Sequence, residues 1–242
     1  MTRQASAKAS RAAIRKPVAK VAAAKKPATK KANSAAASSY HHGDLRDALL
    51  KAAEKILERD GLPGLTLRAV AREAGVSHAA PAHHFGDLTG LVSELAAIGF
   101  RRFNAAMRAA GEIGTTPTEK GRARATAYVD YARTHPGMYT LMFRAERLDM
   151  KRPALDEAAE AAFASLVGAV GADRKETIEE QTLTLDQAAD IVRAWSLVHG
   201  FTSLLLDDRL HDVLRRLPAG TDADALLLAM LRRANTPIVP QP

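Results

Sequence analysis

The sequence predicts an all-α protein with a small N-terminal helical domain and a larger C-terminal helical bundle. Ala, Leu, Arg and Glu dominate, and the strict polar–apolar alternation of half-buried strands is rare. Apolar residues instead recur at helical spacing between breaks made by glycine and proline. Of the 242 residues 47% are apolar, which is enough for a sizeable core.

Several functional classes are excluded by what the sequence lacks. It contains no cysteine, so disulfides and thiolate metal sites are impossible. The most apolar stretch, residues 194–206, is interrupted by His199 and by hydroxyl side chains, and it is shorter than the ~18 residues of a membrane span. There is no glycine-rich phosphate loop, nucleophile–base pair or carboxylate pair, and Asp207-Asp208 is interpreted as a solvated helix end. We expect a cytoplasmic protein that is neither an enzyme nor a cofactor or membrane binder.

The excess positive charge lies in the first 39 residues. They contain ten Lys and Arg residues and no acid, whereas the other 203 residues carry 25 basic and 27 acidic residues, a net charge of −2. Such a segment has little to bury, so residues 1–39 are predicted to be disordered, as is a short tail at 236–242. The run around Lys25, Lys26, Lys30 and Lys31 resembles the tails of linker histones and of some actinobacterial nucleoid proteins. It predicts sequence-independent contacts to DNA; a solubilising extension and a mis-assigned start codon are the alternatives.

The first folded unit is predicted over residues 40–86 and contains three short helices. The first helix has an apolar stripe and stops at Gly61, a residue that favours a left-handed cap. Thr66 is a plausible N-cap for the second helix, which Gly75 ends. Val76 then anchors the turn, and Ser77 caps a third helix that runs to about His84 and is closed by Phe85. Two helices joined by a tight glycine turn form a helix-turn-helix from Thr66 to Phe85.

The candidate DNA contacts follow from the positions of side chains in this motif. Thr66 and Ser77 at helix N-termini favour phosphate contacts, and Arg68 is expected near the DNA backbone. The candidates for reading bases in the major groove are His78, Ala79, Ala80 and His83. Adjacent histidines, such as His83 and His84, point to different sides of a helix, so no metal site is predicted.

The residues of this unit carry a family resemblance. The stretches 40–46 (Tyr-His-His-Gly-Asp-Leu-Arg) and 67–77 (Leu-Arg-Ala-Val-Ala-Arg-Glu-Ala-Gly-Val-Ser), followed by His84-Phe85, resemble the TetR family of repressors over residues 40–103. The resemblance implies an all-helical homodimer whose C-terminal domain dimerises and senses a ligand. Two positions depart from the family pattern, which usually has Tyr where this chain has Ala82 and Lys where it has Leu88. Both family residues commonly contact phosphates. The folded domain is therefore expected to bind the DNA backbone more weakly, and the basic tail is expected to compensate.

The second unit is predicted over residues 87–235. A long helix begins at Asp87 and ends near Ala110, a loop runs to Pro117, and a polar loop covers residues 171–182. The remaining helices are predicted at 118–134, 138–143, 153–170, 185–206 and 223–234. The helix from Leu185 to Leu206 is apolar on two faces and therefore needs cover on both.

Two sets of side chains in the second unit are candidates for function. One face of the helix at 185–206 is expected to form the dimer interface, through Trp195, Val198, His199 and Thr202. Trp195, His199 and Gly200 resemble the Trp-x-x-x-His-Gly signature of the WHG domain, a C-terminal subfamily within the TetR family. The candidate ligand pocket, with ordinary core packing as the alternative, comprises Phe103, Met107, Tyr128, Tyr131, Met142, Phe143 and Trp195. Few charges are expected in its lining, so the ligand is predicted to be small and apolar or amphipathic.

Together these features predict a transcription regulator that binds double-stranded DNA. Two recognition helices held about one DNA turn apart would read a palindromic operator. A ligand in the C-terminal bundle would tilt the long helix and release the DNA, as in a repressor. The alternative suggested by the tail is a nucleoid-type architectural protein with little sequence preference, which excess nonspecific DNA would strip from its site.

Overall fold

The computed structural model describes the backbone of residues 35–234 and the side chains of residues 44–234. Over this range the chain forms ten α-helices, one short 3-10 turn and no strand, which confirms the predicted all-α fold. No helix in this range is both long and apolar enough to cross a lipid bilayer. The helices are α1 (Ala35–Gly64), α2 (Leu67–Glu73), α3 (Ala80–Phe85), α4 (Leu88–Gly111), α5 (Pro117–Thr134), α6 (Pro136–Met142), α7 (Pro153–Arg174), α8 (Leu185–Leu206), α9 (His211–Leu214) and α10 (Ala223–Ala234).

Helix α1 begins earlier than predicted. Residues 35–39, which were predicted to belong to the disordered tail, are helical; they are Ala-Ala-Ala-Ser-Ser, and alanine has the highest helix propensity. Gly61 interrupts the helix at a φ of 67°, a conformation that favours glycine, so the predicted stop at this residue is confirmed. Residues 1–34 and 235–242 lie outside the described part of the chain, together with the predictions made for them.

The turn between α2 and α3 follows the predicted helix-turn-helix in most details. The Thr66 side chain accepts a hydrogen bond of 3.1 Å from the Ala69 amide, and Gly75 has a φ of 69°. The start of α3 was predicted too early: Ser77 accepts the Ala79 amide at 3.3 Å within a turn, and the helix itself begins at Ala80.

The core is continuous between the two predicted domains. Buried side chains in mutual contact extend from Leu49 in α1 to Leu227 in α10, and the described part of the chain has one further small cluster between α7 and α8. The long helix α4 starts at its N-cap Asp87, whose carboxylate accepts the Gly90 amide at 2.8 Å, and it passes from the first unit into the second. The bundle and α1–α3 are therefore packed against each other through buried side chains.

The C-terminal helices begin largely where they were predicted. Thr116 with Glu119 and Thr184 with Gln187 form capping boxes at the starts of α5 and α8. Helix α6 starts two residues earlier than predicted, α7 continues to Arg174 rather than ending at 170, and the four-residue α9 was not predicted.

Helices α4 and α5 form an antiparallel hairpin. The Tyr131 hydroxyl donates to the Gly99 carbonyl at 3.1 Å, whereas further along α4 the guanidinium of Arg124 lies against Gly111. A Cβ atom at Gly111 would lie 2.5 Å from that guanidinium, so only glycine allows Arg124 to lie this close to α4.

Helix α7 follows the direction of α4, and α8 returns antiparallel to α7. Asn104 on α4 donates to the Ala161 carbonyl at 3.2 Å, and Arg174 at the end of α7 pairs with Asp190 near the start of α8 at 2.5 Å. The ends of α4 and α7 and the starts of α5 and α8 therefore lie together, at the end of the bundle remote from α1–α3.

Candidate DNA-binding surface and ligand cavity

The outward surface of the helix-turn-helix carries the predicted DNA contacts. On α3, Pro81 and Phe85 lie one turn apart and are buried, which leaves Ala82 and His83 facing outward. Ala80 is half-buried, and the remaining candidates are exposed: Thr66, Arg68, Ser77, His78, Ala79 and His83. The tail residues Lys25, Lys26, Lys30 and Lys31 lie outside the described residues.

The cations of this unit divide into paired and unpaired groups. Arg46, Lys55 and Arg59 form ion pairs with acidic side chains. Arg68 and Arg72 on α2 are exposed, and neither has an ion-pair partner within residues 44–234. Arg72 was not among the predicted DNA contacts, although its position one turn after Arg68 on a short exposed helix was a usable signal.

The two departures from the family pattern differ in their surroundings. Ala82 is exposed on the outward face of α3, so this position is free for a longer side chain. Leu88 is half-buried and packs against the core at the start of α4. A lysine at position 88 would remove this apolar contact, whereas a tyrosine at position 82 would not disturb the core.

The C-terminal bundle contains a cavity of about 910 Å³ between α4, α5, α7 and α8, and this cavity is partly open to solvent. Six of the seven predicted pocket residues line it: Phe103, Met107, Tyr128, Met142, Phe143 and Trp195. Tyr131 does not line the cavity. Its hydroxyl donates to a carbonyl of α4, and its ring packs behind Phe103 with ring centroids 5.4 Å apart. A cavity of this size is within the usual range for small-molecule sites.

A neutral polar cluster lies at the inner end of the cavity. The Nδ1 atom of His199 is 2.9 Å from the hydroxyls of both Tyr128 and Tyr139, and these hydroxyls are 3.3 Å from each other. Burial lowers the pKa of His199 and raises the pKa of both tyrosines, so all three groups are uncharged at neutral pH. No local sequence pattern indicates this cluster, because Tyr139 and His199 lie 60 residues apart.

The outer end of the cavity is charged, and the expectation of few charges in the lining was wrong. Its charged lining residues are Arg108, Glu112, Arg122, Arg124, Asp173, Arg174, Asp190 and Arg193. Asp190 pairs with Arg174 at 2.5 Å and with Arg193 at 3.3 Å. These residues come from the ends of four helices that are far apart in the chain, so the spacing of residues in the sequence does not bring them together.

Two of the four predicted dimer-interface residues are unavailable to a partner. Val198 and Thr202 are buried within the chain's own bundle, where the Thr202 hydroxyl donates to the Val198 carbonyl at 2.7 Å. His199 is half-buried in the polar cluster, and Trp195 is 42% exposed. Val198 and Thr202 were wrongly included in the predicted interface, because both faces of α8 are apolar in sequence.

A different face of α8 is apolar and uncovered. Val192 is 56% exposed and Leu204 is 47% exposed. Between them, a Cβ atom built on Gly200 would meet no atom within 4 Å. We call the stripe formed by Val192, Ser196, Gly200 and Leu204, which recur at intervals of four residues, the outer face of α8.

Hydrogen bonds at two places connect the bundle with α1–α3. The carboxylate of Glu58 on α1 accepts the amides of Gly137 and Met138 at the start of α6, both at 3.1 Å. A Cβ atom at Gly137 would lie 2.6 Å from the Leu57 carbonyl, so glycine allows the close approach of α6 to α1. The second contact joins Arg152, before α7, to the carbonyl of Phe85 at the end of α3 at 3.2 Å.

Comparison with known proteins identifies both parts of the chain. Residues 49–95 match the family model described as bacterial regulatory proteins, tetR family, and residues 122–234 match the model described as tetracyclin repressor-like, C-terminal domain. The second match includes Trp195, His199 and Gly200. No curated protein matches the sequence significantly.

Solved structures share the fold over nearly their whole length. A protein of unknown function from Rhodococcus sp. RHA1 is 33% identical, with a TM-score of 0.65 over 81% of this chain and 95% of that chain. A putative tetR family regulator from Shewanella sp. PV-4 is 16% identical, with a TM-score of 0.56 over 78% of this chain and 97% of that one. The regulator FadR from Bacillus subtilis, solved in complex with stearoyl-CoA, is 16% identical, with a TM-score of 0.57 over 78% and 97% of the two chains.

Proposed function

The chain is a DNA-binding transcriptional regulator that belongs to the TetR family, and we propose that it is a repressor released from a palindromic operator by a small molecule. The observation that carries this proposal is the cavity of about 910 Å³ in a bundle that shares one core with the helix-turn-helix. FadR, a protein of the same fold, was solved in complex with stearoyl-CoA, which supports binding of a ligand by a protein of this fold.

The regulator acts as a homodimer in this proposal. The outer face of α8 supplies an apolar surface that the chain itself does not cover, and Leu228 of α10 is also exposed. A symmetric pair presents two α3 helices to successive major grooves, so the operator is a palindrome. Residues 40–86 then bind the DNA, and residues 87–235 dimerise and sense the ligand.

Base reading is assigned to the exposed side of the helix-turn-helix. His78, Ala79 and His83 face outward and reach base edges, with Ala80 beside them. Thr66, Ser77 and Arg68 hold phosphates on either side. Arg72 joins Arg68 as a second unpaired cation on α2, and both strengthen binding without regard to sequence.

Ligand release works through the contacts between the bundle and α1–α3. A ligand in the cavity presses on Met142 at the end of α6, and the start of α6 is hydrogen-bonded to Glu58 on α1. Displacement of α6 or α4 changes the separation of the two recognition helices. The ligand shifts the equilibrium only by the difference in its affinity for the two arrangements.

Selection of bound genomic fragments tests sequence-specific binding. The protein is incubated with fragments of the source genome in the presence of excess nonspecific competitor DNA. We expect one enriched palindrome with half-sites about one helical turn apart. His83→Ala should lose discrimination at one base pair of each half-site, while the exposed control His211→Ala should not. Binding that the competitor abolishes, with no enriched sequence, would instead indicate an architectural protein.

Release is tested by fluorescence anisotropy of a labelled operator duplex. Small-molecule extracts of the source cell should displace the wild-type protein but not Met107→Trp, which fills the cavity. Ile113→Trp, at a site 80% exposed, should respond like the wild type. Equal displacement of all three proteins would place ligand action outside the cavity, and no displacement of any would contradict ligand release.

A further inference from the structure

We propose that the ligand is an amphipathic anion, with its charged headgroup bound by Arg122 and its apolar body between the aromatic side chains of the cavity. This inference rests on the proposed function, because it identifies the class of ligand for the same site. The relevant chemistry is that of a carboxylate or phosphate on a hydrocarbon body. It follows from how the charged lining residues are buried and paired.

Arg122 is the strongest indication of a missing anion. Its side chain lines the cavity, and its Nε atom is buried without a hydrogen-bond partner within the described part of the chain. A buried donor of a charged group is costly to leave unpaired, so such an atom calls for an explanation. Because the Arg122 side chain also lines the cavity, an anion bound there would pair with this guanidinium.

Arg124 lies two residues further along α5 and also lines the cavity. Its guanidinium lies against Gly111 of α4, where any side chain would displace it. Neither Arg122 nor Arg124 forms an ion pair within residues 44–234. Each guanidinium in the lining of the cavity can pair with the forked oxygens of a carboxylate or phosphate.

The acidic lining residues do not cancel this charge. Asp190 is occupied by Arg174 and Arg193. Glu112 and Asp173 are exposed to solvent, whereas Arg122 and Arg124 are half-buried. Solvent screens the two acids more strongly than the two arginines, so the interior of the outer end is positive.

The inner part of the cavity fits an apolar body. Its wall there is formed by side chains of Phe100, Phe103, Met107, Phe143 and Leu197, and the cluster around His199 is uncharged. A volume of about 910 Å³ accommodates a chain or ring system rather than an inorganic ion alone. The outer end of the cavity is thus positively charged, and its inner part is uncharged and mostly apolar.

Direct binding to the DNA-free protein tests the headgroup, because the chain has a single tryptophan, Trp195, on the cavity wall. Its fluorescence is titrated with dodecanoate, dodecyl phosphate and dodecanol below their micelle concentrations. We expect at least one anion to bind about tenfold or more tightly than dodecanol, the range of a charge-assisted hydrogen bond. The better of the two anions identifies the headgroup. Equal affinities for all three, or no binding of any, would overturn the proposal.

A matched pair of variants tests the assigned residue. Arg122→Gln should reduce the preference for the anion to about threefold or less, while its affinity for dodecanol stays that of the wild type. Arg133→Gln on the same helix is the control, since Arg133 pairs with Asp224 at 2.7 Å and does not line the cavity. Retention of the full anion preference in Arg122→Gln would overturn the assignment. Anion binding without operator release would leave this inference standing and contradict the repressor mechanism.

Discussion

The guanidinium of Arg152 donates a hydrogen bond of 3.2 Å from Nη2 to the backbone carbonyl of Phe85, the last residue of α3. Its Nη1 atom also pairs with Glu94 on α4 at 3.2 Å, and Glu94 pairs in turn with Arg46 on α1 at 2.6 Å. A Cβ atom at Gly90 would lie 2.0 Å from the same carbonyl, so glycine leaves the space that Arg152 uses. The residue before α7 therefore fixes the end of the recognition helix.

Removal of this hydrogen bond should lower both stability and operator affinity. Arg152→Met keeps the apolar stem but leaves the Phe85 carbonyl and part of the Glu94 carboxylate without a donor, which should cost about 1–3 kcal/mol in the free energy of unfolding. Urea denaturation and operator titration measure the two effects. Arg144→Gln removes an exposed pair with Glu146 and should cost less than about 0.5 kcal/mol; equal losses in both variants would show that the Phe85 contact has no special weight.

The polar cluster in the cavity predicts a pH dependence of stability. Burial lowers the pKa of His199 in the folded protein, so the unfolded chain takes up a proton more readily as the pH falls. The stabilising contribution of neutral His199 is present above the unfolded pKa of about 6.5, and it is lost as the pH falls from there towards the lowered folded value.

We expect His199→Asn to flatten this dependence. The free energy of unfolding of the wild type should decline more steeply between about pH 7 and 5 than that of the variant, because asparagine does not titrate. His211→Asn, at an exposed position on α9, is the control and should follow the wild-type profile. Parallel profiles for wild type and His199→Asn would contradict the burial effect.

Local signals allowed most helix boundaries to be predicted. Which face of each helix is buried could not be predicted in the same way. Gly61, Thr66 and Asp87 mark ends or starts through backbone conformation and capping, which depend on a few neighbouring residues. The face of α8 that is buried depends on helices distant in sequence, so Val198 was wrongly assigned to the dimer surface. The cluster of arginines in the cavity was not predicted for the same reason.

The outer face of α8 should determine the oligomeric state. The double variant Val192→Lys/Leu204→Lys places two charges on the apolar stripe, and we expect it to be monomeric where the wild type is dimeric, because an unpaired charge at a buried interface is strongly unfavourable. Light scattering coupled to size exclusion gives the mass. Val213→Lys changes another exposed apolar residue, 46% exposed and outside α8, and should remain dimeric. A dimeric double variant would place the interface elsewhere.

A tyrosine at position 82 should strengthen DNA binding. Ala82 is exposed on α3, and the resemblance to the TetR family implies that a tyrosine at this position would contact a phosphate. Ala82→Tyr should lower the Kd for operator DNA about fivefold, the value of one net hydrogen bond. It should lower the Kd for nonspecific DNA by the same factor, because a phosphate contact does not depend on the base sequence. Ala82→Phe, which lacks the hydroxyl, is the control; an equal gain from phenylalanine would assign the effect to packing.

The basic segment before α1 should supply the remaining electrostatic affinity. Residues 1–34 contain all ten of its Lys and Arg residues, and their deletion leaves the chain starting at the first residue of α1. The slope of log affinity against log salt falls by about 0.9 for every phosphate that the protein no longer neutralises. We therefore expect the deletion to weaken operator and nonspecific binding alike and to reduce the salt slope. Replacing the same Lys and Arg residues with glutamine at full length should have the same effect, because charge and not chain length is responsible. An unchanged affinity together with an unchanged slope would exclude a role of the tail in DNA binding and leave Arg68 and Arg72 as the principal phosphate contacts.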